Sequence, residues 1–316
     1  MTKMSDLPKD LAEEVLSKVP LTSLRKVRFT CKKSNTLSKG ESFAKKHLGD
    51  QAKLAAKERE LMMVMMMDFR VYLMRVNLHN DVESCIKREG ELVSLDDEVN
   101  VYQIFHCDGL LLCITNDPAK LMVWNPYWMQ PRLIVPTHNS HKLYSYTYAL
   151  GYEKSSKSCR SYKILRFLEF FPTYVEFKIY DINSDSWKVL DVTPGWKIYA
   201  HNTRGVSVKG NTYWLDGTKR RDLVCFDFTR ESFRSHLPLP FEFGTFDTVS
   251  LSSVRDEQLA VLFQCPNTFQ IEIWVTTKIQ PNWVLWNSKV FLSVKLRQLT
   301  LYHFQFQVRA ASFFVD

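Results

Sequence analysis

The chain is 316 residues long, 45% hydrophobic and 24% charged, with a formal net charge of +8. That balance excludes a disordered or collagen-like chain and leaves room for one medium domain beside a small one. The positive excess admits an anionic partner. Its densest groups, however, are only Lys219-Arg220-Arg221 and a few Lys-Lys pairs, with no arginine-rich helix and no aromatic platform, so no nucleic-acid partner is expected.

The chain opens with "MTKMSDLPKD", which is polar and carries both signs of charge, unlike a secretory signal. The richest apolar stretch, "LMMVMMMDFRVYLM", is broken by Asp68 and Arg70, too soon for a membrane helix, so no membrane partner is expected. The seven cysteines form no C-x-x-C pair and no regular framework, as for reduced thiols in the cytoplasm or nucleus.

Residues 1–48 follow helical rules. Pro8 suits a first turn, Leu7 can staple onto Leu11, and Leu11, Val15, Leu16 and Val19 mark one face before Pro20 ends the helix. A second helix starts near Thr22, a possible N-cap, and lines up Leu24, Val27 and Arg28 ahead of Cys31. A third short piece carries Phe43 and Leu48, with Gly40 and Gly49 as punctuation. Three such helices bury too little surface to stand comfortably alone. A polar helical connector covers residues 49–60, with "DQAKLAAKERE" at 50–60.

From residue 61 to 316 the pattern changes to short β-branched and aromatic runs between turn signals, which describes an all-β domain. "DGLLLCITNDPAKLMVWNP" (108–126) and "KGNTYWLDGTKRRDLVCFDF" (209–228) share a turn, an apolar strand, a polar hairpin and a strand ending in an aromatic followed by Asn or Asp. The strand-ending aromatics Trp124, Tyr180, Phe226 and Trp274 recur about every 50 residues, and Trp187, Phe233 and Trp283 follow three of them. Such a period fits propeller blades of the kelch kind. A β-sandwich whose hairpins share turn chemistry by chance fits the same strings.

No chemistry-bearing motif stands out. G-x-S-x-G, the phosphate loop, G-x-G-x-x-G and H-E-x-x-H are all missing from the sequence. His138 and His141 read as loop surface rather than zinc ligands. His106 and Cys107 point to opposite faces of a strand, and Asp108 reads as a turn residue. Asp96, Asp97 and Glu98 read as a solvated turn, and the methionines between Met62 and Met67 as core packing or as filler at a domain junction. No catalytic residue, cofactor or metal is expected.

"LPKDLAEEVLSKVPLTSLRKVRFTCKK" resembles an F-box at nearly every anchor, from Leu7-Pro8 to Cys31-Lys32. The later motifs "CDGLLLC", "VWNP", "LGYE", "YKILRF", "IYDINSDSWK" and "SVKGNTYWL" resemble, in order, the F-box-associated interaction domain of the large plant F-box family. The resemblance implies an α+β chain by segregation: a small three-helix F-box followed by an all-β, kelch-type, propeller-like domain. It further implies the substrate-recognition subunit of a Skp–cullin–F-box ubiquitin ligase, with a Skp-type adaptor, a cullin reached through it and a protein substrate as partners. On this sequence the adaptor-facing positions are Leu7, Pro8, Leu11, Val15, Leu16, Pro20, Leu24, Val27 and Cys31. Val19 and Val27 are first in line for the helical unit's own core, and Lys9, Lys18, Arg25 and Arg28 for a basic rim.

The chain departs from the family pattern at three points. Ser34 and Leu133 stand where tryptophan is common, and the chain stops at "AASFFVD", where relatives usually continue through further strands. The last departure implies a final blade short of a closing strand. The contrasting reading is a stand-alone β-propeller scaffold with a vestigial F-box. Substrate-binding loops are sought at 137–146, 167–174 and 193–204, by exposure and aromatic content.

Overall fold

The computed structural model describes residues 6–19, 21–40, 43, 46–47, 50, 60–77, 86–91, 100–117, 120–125, 131–136, 146–154, 160–170, 174–198, 204–265, 268 and 270–295. The chain divides into two compact units, Met1–Ile104 with Leu110–Pro136, and Phe105–Gly109 with Thr137–Asp316.

Three short helices come first: α1 (Lys9–Ser17), α2 (Leu21–Arg28) and α3 (Lys32–Ser38). Pro8, in an extended conformation, caps α1, and its carbonyl accepts the first helical bond from Ala12 N–H at 3.0 Å. The second helix begins at Leu21, so Thr22 lies inside it rather than capping it. The helix at Lys32–Ser38 comes before the piece expected around Phe43, where the described residues Phe43, Lys46, His47 and Asp50 are also helical and Leu48 lies outside the described residues. It is written in "KKSNTLS", and the residues it buries are Ser34 and Ser38, which leave no apolar periodicity to read. Cys31 caps it, its sulfur accepting the Ser34 N–H at 3.4 Å.

The β region of unit 1 begins with β1 (Glu60–Met67), β2 (Arg70–Asn77) and β3 (Ile86–Glu91) in one antiparallel sheet. A second sheet runs in the order β4 (Val101–Cys107), β5 (Leu110–Thr115), β6 (Leu121–Trp124) and β7 (Arg132–Ile134). Val71, Val101, Leu111, Cys113, Met122 and Trp124 form the core here, with Val64 and Met66 packed against it. Met66 thus serves packing.

Unit 2 continues with three sheets. The first holds β8 (Tyr146–Glu153), β9 (Ser161–Phe170), β10 (Tyr174–Asp181) and β11 (Ser186–Leu190). The second holds β12 (Val206–Val208), β13 (Asn211–Leu215), β14 (Asp222–Asp227) and β15 (Ser232–Pro238). The last holds β16 (Thr248–Val254), β17 (Gln258–Cys265), β18 (Gln270–Gln280) and β19 (Trp283–Trp286), with β20 (Leu292–Lys295) also paired to β18.

In each of these sheets consecutive strands are neighbours in space, the up-and-down meander of a propeller blade; a sandwich of Greek-key sheets has a different order. Successive sheets of unit 2 pack face to face. Phe167, Phe177 and Ala149 from one meet Trp214, Val224 and Phe226 from the next, whose other face puts Tyr213, Leu223 and Cys225 against Leu259, Val261 and Ile279. Both faces of the middle sheet are therefore apolar, and β13 and β14 are buried at every position.

The sequence repeat maps onto this plan. Trp124, Tyr180, Phe226 and Trp274 all lie on the third strand of their sheets. Tyr180 faces Trp187, and Phe226 faces Phe233, across the third and fourth strands, with ring centroids 5.0 and 4.8 Å apart. Trp283 breaks the rule and pairs with Gln280, because β18 runs on beyond the aromatic. In four of the five sheets the first and second strands are joined by turns with two successive left-handed residues, Asp68-Phe69, Asp108-Gly109, Lys209-Gly210 and Arg255-Asp256, the I′ geometry that matches strand twist.

Candidate partner-binding surface

The helical unit is held by a small core of Leu16, Leu24 and Phe43, with Val19, Val27 and Leu37 against it. Its polar interior is equally specific. Arg28 is buried; its Nε donates to Ser38 Oγ and its Nη2 to Ser38 O, both at 2.9 Å, and Ser38 Oγ donates onward to Ser34 O at 2.6 Å. That guanidinium ties α2 to α3, so Arg28 does not belong to a surface rim. Lys33 Nζ reaches the Leu7 carbonyl, and His47 Nε2 lies 2.7 Å from the Val19 carbonyl.

What the core leaves outside is an apolar stripe on α1. Leu11 and Val15 are 50% and 49% exposed, one turn apart, and Pro8 continues the line at the helix start. Phe29, in the turn after α2, is 82% exposed. The nine positions picked out from the sequence thus divide. Pro8, Leu11 and Val15 face outward, Leu7, Val27 and Cys31 are half-buried, Leu16 and Leu24 are buried, and Pro20 lies outside the described residues. The apolar stripe of α1 is wider than one face, and Ala12 and Leu16 take the inner half. Phe29 was missed because a lone aromatic between Arg28 and Thr30 has no periodic partner.

Charges border the stripe as local pairs. Lys9 lies 3.9 Å from Glu13, and Lys18 lies 3.2 Å from Glu14. The Arg25 side chain is outside the described residues. Ser34, where the family pattern favours tryptophan, is fully buried with its hydroxyl 3.1 Å from the Cys31 sulfur, so a larger side chain there has to displace neighbours.

The β region shows no assembled reaction centre among the described residues, and no group of three or more His, Cys, Asp or Glu there is placed to hold a metal. Cys107 is buried and burial pushes its thiol up to about 12, far from the reactive thiolate range. His106 is turned away from it, with Nε2 accepting the Gly109 N–H at 3.0 Å and Nδ1 3.7 Å from Asp256. Asp108 pairs with Arg160 and accepts the Tyr162 hydroxyl at 3.1 Å. His138, His141 and the acidic run 96–98 lie outside the described residues, as do the loop 137–145, residues 171–173 and 199–203, and the C-terminal run 296–316, where a closing strand was expected to be missing. Within 193–198 the aromatic is not free: Trp196 packs tilted against Phe233, with ring centroids 4.3 Å apart, and Ile198 is buried in the same core. No helix among the described residues is long and apolar enough to cross a membrane.

A small helical unit with an exposed apolar stripe thus precedes, along the chain, a series of propeller-type sheets. Comparison with known families identifies both parts: residues 4–46 match the F-box domain, and residues 62–316 match the F-box associated beta propeller domain. A relative from Arabidopsis thaliana that carries an F-box name is 70% identical over 323 residues, spanning 100% of this chain and 84% of its own length. An F-box protein of the same plant is 55% identical over 336 residues, covering 99% of this chain and 85% of the relative. An F-box/kelch-repeat protein is 52% identical over 342 residues, covering 100% and 85%. The chain belongs to the F-box family with an F-box-associated β-propeller domain. These two domains together support a substrate-recognition adaptor kind of role, and members of the family are typically adaptors rather than enzymes.

Proposed function

We propose that this chain is the substrate-recognition subunit of a Skp–cullin–F-box ubiquitin ligase. The α1 stripe docks on a Skp-type adaptor, which connects it to a cullin, and the β domain holds the protein to be ubiquitylated. The chain itself supplies no catalytic residue and acts in the cytoplasm or nucleus. One observation carries this reading: Leu11 and Val15 stay half-exposed while Leu16 and Leu24, one position or one helix away, fill the core. Fully burying a side chain of that size contributes about 1.5–3 kcal/mol, so a partner surface laid over the pair gains substantially from covering it.

Co-expression with a Skp-type adaptor tests it. A stable complex that survives gel filtration is expected. Failure to co-purify, with the chain folded, favours the stand-alone scaffold, and recovery of binding by Ser34→Trp would mark the F-box as vestigial.

A further inference from the structure

Three turns of unit 2 converge on a cavity of about 360 Å³. Lys154 at the end of β8, Lys209 in the β12–β13 turn and Arg230 in the β14–β15 turn line it, beside Thr229 and over an apolar floor of Ile279 and Pro281. Its lining includes one carboxylate, Asp227, whose oxygens are already engaged. Oδ1 accepts the N–H groups of Thr229 and Arg230 at 3.0 and 3.1 Å, and Oδ2 lies 3.1 Å from Arg230 Nη1. The carboxylate therefore offsets Arg230 and leaves the charge of Lys154 and Lys209 without a counterpart in the lining.

The backbone beneath these cations is fixed in place. Lys154 N–H donates to Thr229 Oγ1 at 3.1 Å, tying the end of β8 to the β14–β15 turn and leaving the hydroxyl of Thr229, a lining residue, with its own hydrogen to donate. Lys209 sits in the left-handed region at φ 52°, and its N–H donates to the Asp256 carbonyl at 3.1 Å. Two lysines with no carboxylate of their own in the described lining, beside a hydroxyl and on backbone tied between separate sheets, suit an anion. Another cluster of basic residues differs: around Lys219 and Arg221 a cavity of about 530 Å³ includes Glu242, 3.2 Å from Arg221, and Asp222, 3.2 Å from His236.

We propose that the Lys154–Lys209–Arg230 cavity is an anion site that takes a phosphate- or carboxylate-bearing side chain of the protein target. The proposal rests on the reading of the β domain as the part that holds the target. A phosphate monoester, with close to two negative charges, matches the two lysines better than a single carboxylate does.

The test uses the full chain co-purified with a Skp-type adaptor. Inorganic phosphate is titrated against the lysine side-chain NMR signals, and binding is then compared for two degenerate peptide pools, one fixed at a phosphoserine and one at glutamate in its place. Saturable shifts at Lys154 and Lys209 are expected, with tighter retention of the phosphoserine pool. Lys154→Gln/Lys209→Gln is expected to weaken binding about tenfold or more, the scale of one charge-assisted hydrogen bond. Lys197→Gln/Lys289→Gln, which removes the same charge at exposed positions elsewhere, is expected to leave it unchanged. Retention of the glutamate pool alone assigns the site to acidic rather than phosphorylated targets. Absence of saturable phosphate binding, or equal weakening by both pairs of substitutions, overturns the proposal. Adaptor co-purification is scored on the same samples: anion binding lost with the adaptor retained sinks only this site, whereas the adaptor lost with anion binding intact sinks only the ligase reading.

Discussion

Asp181 and Asp227 occupy the same place in successive sheets, at the end of the third strand, and each closes the turn that follows with one carboxylate oxygen. Asp181 Oδ1 accepts the N–H groups of Asn183 and Ser184 at 2.8 and 3.0 Å; Asp227 Oδ1 accepts those of Thr229 and Arg230 at 3.0 and 3.1 Å. The aromatic-plus-Asp signature of the repeat is thus a structural device. The ring anchors the strand on its neighbour, and the carboxylate satisfies amides that no ladder reaches.

Removing that device should destabilise the β domain without touching adaptor binding. Asp227 is buried and bonded to two amides and Arg230, so Asp227→Ala should cost about 1–3 kcal/mol, and Asp181→Ala, which is more exposed, less. Urea unfolding followed by tryptophan fluorescence reads the difference. An unchanged midpoint for Asp227→Ala contradicts the role given to the carboxylate.

Asp181 and Glu231 set an acid limit. Burial pulls Asp181 upward, but the N–H groups of Ser184 and Asn183, the Ser161 hydroxyl and Lys163 outweigh it and hold the group below its ordinary value. Burial likewise opposes, and hydrogen bonds from Lys163 and Lys188 outweigh, in the case of Glu231, which sits 2.8 Å from each amine. A carboxylate depressed in the folded state stabilises it fully above the unfolded-state value and loses that contribution as pH falls through the folded one. Stability should therefore decline below about pH 4. Asp181→Asn should flatten that decline in thermal melts taken across the acid range; an equally steep decline in the variant argues against it.

Gly151 marks the seam between the β8–β11 and β12–β15 sheets. A Cβ there would stand 2.2 Å from Phe228 Cδ2 and 2.5 Å from the Gly210 carbonyl oxygen, and Phe228 is fully buried. Neither neighbour can retreat cheaply, because Gly210 O also accepts the Tyr152 N–H at 3.1 Å. Gly151→Ala is predicted to cost about 1–3 kcal/mol through overpacking. Gly195, with nothing within 4 Å of its added Cβ, provides the control, and Gly195→Ala should leave the melting temperature close to that of the parent.

The sequence made the β region legible through its repeat, since aromatic anchors, paired aromatics and Asp-Gly or Lys-Gly turns each report one fixed place in a meander. It was less informative about the helices. Apolar residues at 11, 15, 16 and 19 say that α1 is amphipathic, but the stripe is too broad to tell Leu11 and Val15, outside, from Leu16 and Val19, inside. The third helix was invisible because its buried residues are serines tied to Arg28, and a hydrogen-bonded polar interior leaves no hydrophobic period. The loop aromatic Trp196 misled in the opposite sense: a tryptophan between polar neighbours looks exposed until the ring of Phe233 is found against it.

The most direct test of the account compares two kinds of change in the helical unit by pull-down on a Skp-type adaptor. Leu11→Asp/Val15→Asp should reduce affinity about 100-fold or more, given about 1.5–3 kcal/mol for each side chain buried, while far-ultraviolet circular dichroism and the melting profile stay those of the parent. Leu24→Asp, placed in the core, should lose both binding and helical signal. Adaptor binding undiminished in the Leu11/Val15 double variant would contradict the assignment of this stripe as the docking surface.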